Sequence, residues 1–565
     1  MRRSSVLTIA AVSSLLFAAA AVRLSPRFSS AQAAQPQTAP IAASAAPQLE
    51  PVNAKISTTP KPSDVPSLQP GTELYTAKRG ETIPTIARRY LSKTAYLTSS
   101  ELADAIRRLN GKDNNNRSND VLKANEQITI PGILAAPITE KTIPVAKDFE
   151  VRAIYLTGLM AASDHGLRII RHWRQVGGNA VVFDIKDSDG SVTIPFDHPL
   201  LGQHQVYLHD LPKFVHFLHS ENMHAIARIA IFRDEHLVVT HPELAVQSRK
   251  TNQPWRENGK LVWTDPSNPQ VQDYDIALAK SVAQSGADEI QFDYLRFPAE
   301  GDQKDATFVY QSEHPDSDQS GTQMCEATQP ASPNPSPVGA TDNSPALQRR
   351  VAEKKGTESR RDDRKAVCKT NHEMQRSDVI TAFLQKAYAQ LHPTGVLLSL
   401  DVFGVMAWQR QVDLAHTGQD IVAMTHFCDV LSPMIYPSHF FGMDNIPLPG
   451  DAPEHFIGES MQRFELITKG SGVVIRPWLQ AFRWRTKTYS PEYIKIQVAT
   501  AKQKGGIGFL FWNAANDYSK PYEAMPEMKG ADAKEAPKEN PKYFRGDELP
   551  GVTVKASLTP PASTP

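Results

Sequence analysis

A chain of 565 residues is too long for one ordinary domain, although a single large barrel fills much of that length. Its 61 lysines and arginines balance 61 aspartates and glutamates, which removes the electrostatic case for nucleic acid or an anionic membrane surface as partner. Hydrophobic residues make up 40%, enough for a globular core, and the 43 prolines gather in tails and linkers.

Residues 1–33 read as an export segment. Arg2 and Arg3 precede an apolar run at 6–22, and Ala31-Gln32-Ala33 offers a small-x-small cleavage site. The run nearly reaches spanning length, so an uncleaved membrane anchor stays open as the alternative, and it is the only membrane contact expected. Either way the chain is exported, to the periplasm, the cell envelope or the medium. Residues 34–70 are rich in Ala, Pro, Ser and Thr and form a linker that builds no core.

Residues 71–135 make a small unit of strand, two helices and strand. The pieces are Tyr75 to Ile83 around a Gly80-Glu81-Thr82 turn, a helical run at 84–90, a second at 101–110, and a closing strand at 127–131. Together with Ile86-Ala87-Arg88-Arg89-Tyr90, Leu109-Asn110-Gly111 and Ile128-Thr129-Ile130-Pro131, this unit resembles a lysin motif, a fold that binds N-acetylglucosamine-containing glycans. It is longer than that motif at 92–100 and again at 112–120.

From residue 148 to 525 strand and helix alternate. Strands are expected at 151–157, 180–185, 224–231, 289–295, 396–402, 430–436, 473–480 and 507–512, and helices at 166–176, 208–221, 271–285, 377–390, 419–427, 454–468 and 491–504. Alternation means parallel pairing, and eight strands fit an α/β fold of the (β/α)8 TIM-barrel type. No glycine-rich phosphate loop follows an early strand, which argues against an open nucleotide-binding sheet. Residues 299–376 are a polar insertion, and residues 526–565 read as a disordered tail.

The strand ends carry the chemistry. Asp184 and Lys186 close the second strand, Arg228 sits in the third, Asp293, Tyr294 and Arg296 close the fourth, and Asp401 the fifth. Tyr155, Tyr436, His439, Trp478, Gln480, Trp512 and Asn513 close the rest. In a barrel all of them reach one mouth, the face where such folds keep their active sites. Acids, amides and aromatic faces suit a carbohydrate. Hydrolysis of a glycosidic bond needs two carboxyl groups around it. Asp293 is the first choice for nucleophile or base, held ionised by Arg296 and Lys186, and Asp401 for proton donor, its affinity for the proton raised by Val402, Phe403 and Trp408. Asp184 rivals both. Side-chain alternation aims Asp184 and Lys186 alike, and likewise Gln291, Asp293 and Leu295. Tyr155, Lys186, Arg228, Tyr294, Arg296, Tyr436, His439, Trp478, Gln480, Trp512 and Asn513 are the substrate-binding candidates. The competing reading makes Asp184, Lys186, Arg228 and Asp293 a buried ion-pair network.

Seven ordered blocks carry a further resemblance: Asn179 to Asp187, Ala227-Arg228-Ile229, Asp288 to Pro298, Asp401-Val402-Phe403-Gly404, Ser432 to His439, Arg476 to Gln480, and Phe511 to Ala514. On these, residues 151 to about 520 resemble a bacterial family of barrel domains suspected of glycoside hydrolase activity and long classed as of unknown function. The resemblance implies a barrel and a glycosidase. The expected partner is a polysaccharide or peptidoglycan-like glycan.

His216-x-x-His219 places two imidazoles on one helix face, but two ligands make no zinc site, and no metal triad for a deacetylase is present. No Gly-x-Ser-x-Gly elbow is present either. No metal and no cofactor are expected. Cys325 and Cys368 flank the insertion and are positioned to pair across it or to stay free, while Cys428 lies in an apolar stretch. A catalytically silent, polysaccharide-binding envelope protein is the alternative function.

Overall fold

The computed structural model describes residues 71–112, 120–313 and 374–532. The expected export segment and linker, Cys325 and Cys368, most of the insertion and the chain beyond 532 lie outside them. No helix among the described residues is long and apolar enough to cross a membrane.

Eight parallel strands form the centre: β1 Val151–Leu156, β2 Ala180–Lys186, β3 His224–Ala230, β4 Glu289–Asp293, β5 Leu397–Phe403, β6 Val430–Ile435, β7 in two pieces (Val474–Ile475 and Trp478–Gln480), and β8 Gly508–Trp512. Each pairs with its neighbour in chain order. Leu510 of β8 lies against Ala153 of β1 and Ser399 of β5 against Val430 of β6, so the sheet is a closed barrel with no free edge. The break in β7 falls at Pro477, which has no N–H to donate; its carbonyl still accepts from Leu510 N at 2.9 Å.

Helices cover the outside: α1 Asp164–Val176, α2 Leu211–Ser220, α3 Pro269–Gln284, α4 Arg376–Leu391, the short α5 Ile421–Met424, α6 Pro453–Thr468, α7 Pro491–Gln503 and α8 Ser519–Asp532. Side chains of Ser163, Asp210, Asn268 and Ser490 accept the first free N–H groups of α1, α2, α3 and α7. Apolar residues on the outer strand faces, such as Val181, Phe183, Ile290, Phe292, Leu398 and Leu400, pack against these helices. Inside the barrel the core is smaller and one-sided: Val151, Ala153, Ala180, Val182, Ile226 and Leu510 fill one half.

Three sequence expectations change, and one segment gains structure that none described. The fourth strand stops at Asp293, because Tyr294 adopts φ 54° and ends the pleat. The chain between β3 and α3 is an elaborate cap: a helix at Glu235–Thr240 and a hairpin of Arg256–Glu257 against Leu261–Val262 turned by Asn258 and Gly259 at φ 52° and 72°. The insertion begins in order, with Ala306–Thr307 antiparallel to Gln247–Ser248 and a helix at Val309–Glu313. The tail starts later than 526, since α8 runs through Pro526 and stacks Tyr522 on His172 of α1 at 4.1 Å.

Ahead of the barrel, strands Thr72–Thr76 and Gln127–Pro131 pair antiparallel around helices Ile83–Tyr90 and Ser99–Leu109. This unit has its own core of Ile83, Ile86, Leu102, Ile106, Ile128 and Ile130. The lengthened stretch around 92–100 meets the barrel: the buried ammonium of Lys213 on α2 donates to Leu91 O at 3.0 Å, Thr98 bonds Asp164, and Arg171 pairs with Glu101 at 2.9 Å.

Candidate active site

Within the barrel, charged residues gather opposite the apolar half. At the amino-terminal end Glu289 pairs with Arg476 at 2.7 Å and accepts from His224 at 3.1 Å. At the carboxyl-terminal end stand Asp184, Arg228, Asp293 and Asp401, all buried.

Arg228 is the hub. Its Nη1 meets Asp184 Oδ1 at 2.5 Å, and its Nη2 and Nε meet Asp293 Oδ2 at 2.6 and 3.1 Å. The Tyr155 hydroxyl donates to the other oxygen of Asp184. Burial pushes the Asp184 carboxyl up to about 7, against the pull of Arg228 and the Tyr155 hydrogen bond. Asp293 also accepts from the N–H of Tyr294, at 2.6 Å from Oδ1. The left-handed backbone of Tyr294 brings that N–H back onto the preceding side chain, a strained conformation at the point where it is used.

Asp401 differs. Burial, then the neighbouring charge of Asp293, drive its carboxyl well above the ordinary range, with Arg228 and the Trp478 indole opposing. Trp478 Nε1 donates to Oδ1 at 2.7 Å, and no donor among the described residues reaches Oδ2. Gly404, three residues on, is required by packing: a Cβ there would lie 2.7 Å from Met434 O and 2.9 Å from the Phe440 ring. Asp293 and Asp401 line one cleft walled by Trp263, Phe403, Tyr294, Arg233, Arg296 and Gln419.

Across the mouth, over β6, β7, β8 and β1, lies an aromatic wall. Tyr436 stands 5.8 Å from Trp512 and 5.6 Å from Phe482, Trp512 6.5 Å from Tyr155, and His439 5.0 Å from Trp484. Burial, with the nearby Arg485, lowers His439 to about 3, so its imidazole is neutral.

Several candidates lie elsewhere than expected. Lys186 leaves the mouth: a bulge at Ile185 between Asp184 and Lys186 breaks the alternation and turns Lys186 outward. There its ammonium sits 2.8 Å from both Asp234 and Asp275, far from the duty of holding Asp293. Arg228, not Arg296, pairs with Asp293. Leu295 faces the outer core because Tyr294 turns the chain. Trp408 packs on Phe440 at 5.8 Å, and the indole at Asp401 belongs to Trp478. Gln480 is spent on Ser438 N, Phe482 O and Thr486, and Asn513 on Ala481 O, Asp517 O and Ala515 N; both brace loops. His216 and His219 meet Glu140 and Asp288 at 3.0 Å each, on the outside of the barrel.

Sequence reasoning passed over Trp263 and Gln419 and left Arg233 out of the site. A signal for Trp263 was present, since Asn258-Gly259 marks the hairpin that delivers it. Gln419 follows a non-barrel helix at Gln411–Thr417, and nothing in its neighbourhood announces it.

Residues 153–518 match the family described as "Putative glycosyl hydrolase domain". No curated protein matches the chain. Among solved structures the chain is similar to a hypothetical protein from Ruminiclostridium thermocellum, at 27% identity over 44% of this chain and 97% of that one, with a TM-score of 0.31. It is also similar to the glycoside hydrolase domain of PgaB (BpsB) from Bordetella bronchiseptica, at 11% identity over 66% and 98%, with a TM-score of 0.41. A third is the Bacillus megaterium spore cortex-lytic enzyme SleL, at 12% identity over 80% and 85%, with a TM-score of 0.34.

Proposed function

The chain belongs to the glycosyl hydrolase family that its residues 153–518 match, and on that premise we propose that it cuts an O-glycosidic bond of a cell-envelope or extracellular polysaccharide with Asp293 and Asp401. One observation supports this most: two carboxyl groups over one cleft stand in opposite environments. Three N–H donors compensate a negative charge on Asp293. Burial and the charge of Asp293 favour the protonated form of Asp401, which lines the cleft with one oxygen held by Trp478.

In this reading the Asp401 proton passes to the glycosidic oxygen as the bond to the anomeric carbon breaks. Asp293 then either attacks that carbon, giving a glycosyl-enzyme that water opens with retention, or takes a proton from water attacking with inversion. Asp184 is not among the residues lining the cleft; bonded to Tyr155 and Arg228, it orients the guanidinium that orients Asp293. The aromatic wall stacks on sugar rings next to the cut. The N-terminal unit, in its resemblance to a lysin motif, holds the barrel at a glycan surface and raises its local concentration.

The experiment is a screen of the purified protein against envelope polysaccharides for new reducing ends, with Asp293→Asn and Asp401→Asn as controls. Release by the wild type and its loss in both variants is expected; release unaffected by either substitution would refute the assignment. Proton NMR of the first product separates retention from inversion. A binding protein without turnover is the second reading. It draws on the way Arg228 ties Asp293 and Asp184 together as a closed ion triad. Glycan retention with no reducing ends from any substrate would favour it.

A further inference from the structure

Two guanidinium groups face the same cleft without a carboxylate partner. Arg296 is 3% exposed, and its planar group lies between the rings of Trp263 at 4.5 Å and Phe403 at 4.7 Å. Its one acceptor among the described residues is Phe297 O, at 3.0 Å. Arg233 is 7% exposed, stands over the Tyr294 ring at 5.1 Å, and among the described residues donates to the Tyr294 hydroxyl alone, at 3.0 Å. Neither forms an ion pair among the described residues, although both are buried, where an arginine ordinarily has one.

The cleft's own acids do not answer them. Asp293 is already matched by Arg228, and Asp401, bonded to the Trp478 indole, forms no ion pair among the described residues. The stacked faces of Arg296 leave only its edge donors available, and an edge is what a bidentate oxyanion accepts. Beside them Gln419 donates to Leu295 O at 3.2 Å, yet its own carbonyl oxygen is buried with no donor. Two spare cations and one spare acceptor around a single hollow form a receptor for a group with both an oxyanion and a hydroxyl. A separate groove after β6 and β7 is also basic, with Arg483, Arg485 and Lys487 among its lining residues.

We infer that the barrel's substrate is an acidic glycan: the sugar seated in the cleft carries an oxyanion, which Arg296 and Arg233 clamp, while Gln419 accepts from a neighbouring hydroxyl. This rests on the cleft being the substrate site, as proposed above, and deepens that reading by naming the substrate class. The oxyanion is a ring carboxylate or an acid ester; both present paired oxygens to a guanidinium.

Affinity electrophoresis of the whole protein tests it, in gels cast with polygalacturonate, alginate, hyaluronan or dextran sulfate and in matching gels of neutral dextran and carboxyl-reduced polygalacturonate. At least one acidic polymer is expected to retard the wild type at least tenfold more strongly than the neutral gels. Arg296→Gln and Arg233→Gln each lose that retardation, Arg296→Lys keeps part of it, and Arg168→Gln on the exposed face of α1 changes nothing. Carboxylated and sulfated gels tell the two sources of charge apart. Equal retardation by neutral polymers, no retardation by any acidic one, or retardation undiminished in both arginine variants overturns the inference. If Arg296→Gln does not fold, Arg233→Gln and the carboxyl-reduced polymer still decide it. Arginine-dependent retention without reducing ends would sink the hydrolase reading and leave this one standing. Cleavage of a neutral glycan with no acidic binding would do the reverse.

Discussion

The indole N–H of Trp478 donates to Asp401 Oδ1 at 2.7 Å, although their strands, β7 and β5, do not pair. β6 lies between them, so the bond spans the barrel's interior. It occupies Oδ1 and ties the acid to the aromatic half of the mouth through Tyr155, whose ring is 6.4 Å from Trp478.

Asp401→Asn keeps this bond, because an amide oxygen accepts as a carboxyl oxygen does. Hydrolysis is expected to fall at least about 100-fold, the scale of a lost general acid. Stability should not fall. The folded protein prefers the protonated carboxyl, so Asp401 costs stability once pH exceeds its ordinary value of 3.8. Thermal melts at pH 4 and pH 8 should show the variant gaining on the wild type at the higher pH; a loss at pH 8 would contradict a neutral Asp401.

Asp293→Asn removes the charge that two nitrogens of Arg228 address. Turnover is expected to drop by about 1,000-fold or more. The stability cost should stay at about 1–3 kcal/mol, the range for one charged hydrogen-bond partner, since Asp184 still pairs with Arg228. Urea denaturation beside steady-state rates separates the two effects. A cost well above that range with turnover intact would make the residue structural.

Lys186→Met should behave in the opposite way. Lys186 is 0% exposed between Asp234 and Asp275, and its loss strands two buried carboxylates. The expected cost is about 3–5 kcal/mol, with the rate per folded molecule unchanged. Denaturation midpoints and rates normalised to folded protein check it, and a purely kinetic defect would return Lys186 to the active site.

A pH optimum of stability is expected from the exterior network. Burial opposes it, but Asp288 and Glu140 raise His219 from 6.5 to about 9, and against burial His216 and His219 lower Glu140 from 4.5 to about 2. The contribution of His219 is complete below 6.5 and fades as pH rises toward 9; that of Glu140 is complete above 4.5 and fades as pH falls toward 2. Both are therefore full between 4.5 and 6.5. His219→Gln should flatten the alkaline limb, worth at most about 3 kcal/mol, in melting temperatures measured across pH. An unchanged alkaline limb would remove His219 from the network.

Much of the barrel was legible because its signals are local. A run such as Ala180 to Lys186 declares a strand by its β-branched and aromatic residues. The order of such segments is enough for parallel pairing. What failed did so where one residue changes the period: the bulge at Ile185, the left-handed Tyr294 and the ladder gap at Pro477. Each re-aims everything after it, and no periodicity carries across.

The sequence alone therefore determined the strand and helix inventory, the eightfold alternation and which acids stand at strand ends, since these depend on neighbours a few positions apart. Only the tertiary structure decided that Arg228 rather than Lys186 or Arg296 pairs with Asp293, that Trp478 rather than Trp408 meets Asp401, and that Arg233 and Arg296 have no acid partner among the described residues. Those pairings join residues from separate strands and loops, some nearly eighty positions apart. Barrel closure and side-chain direction select them, through a geometry that no segment holds by itself.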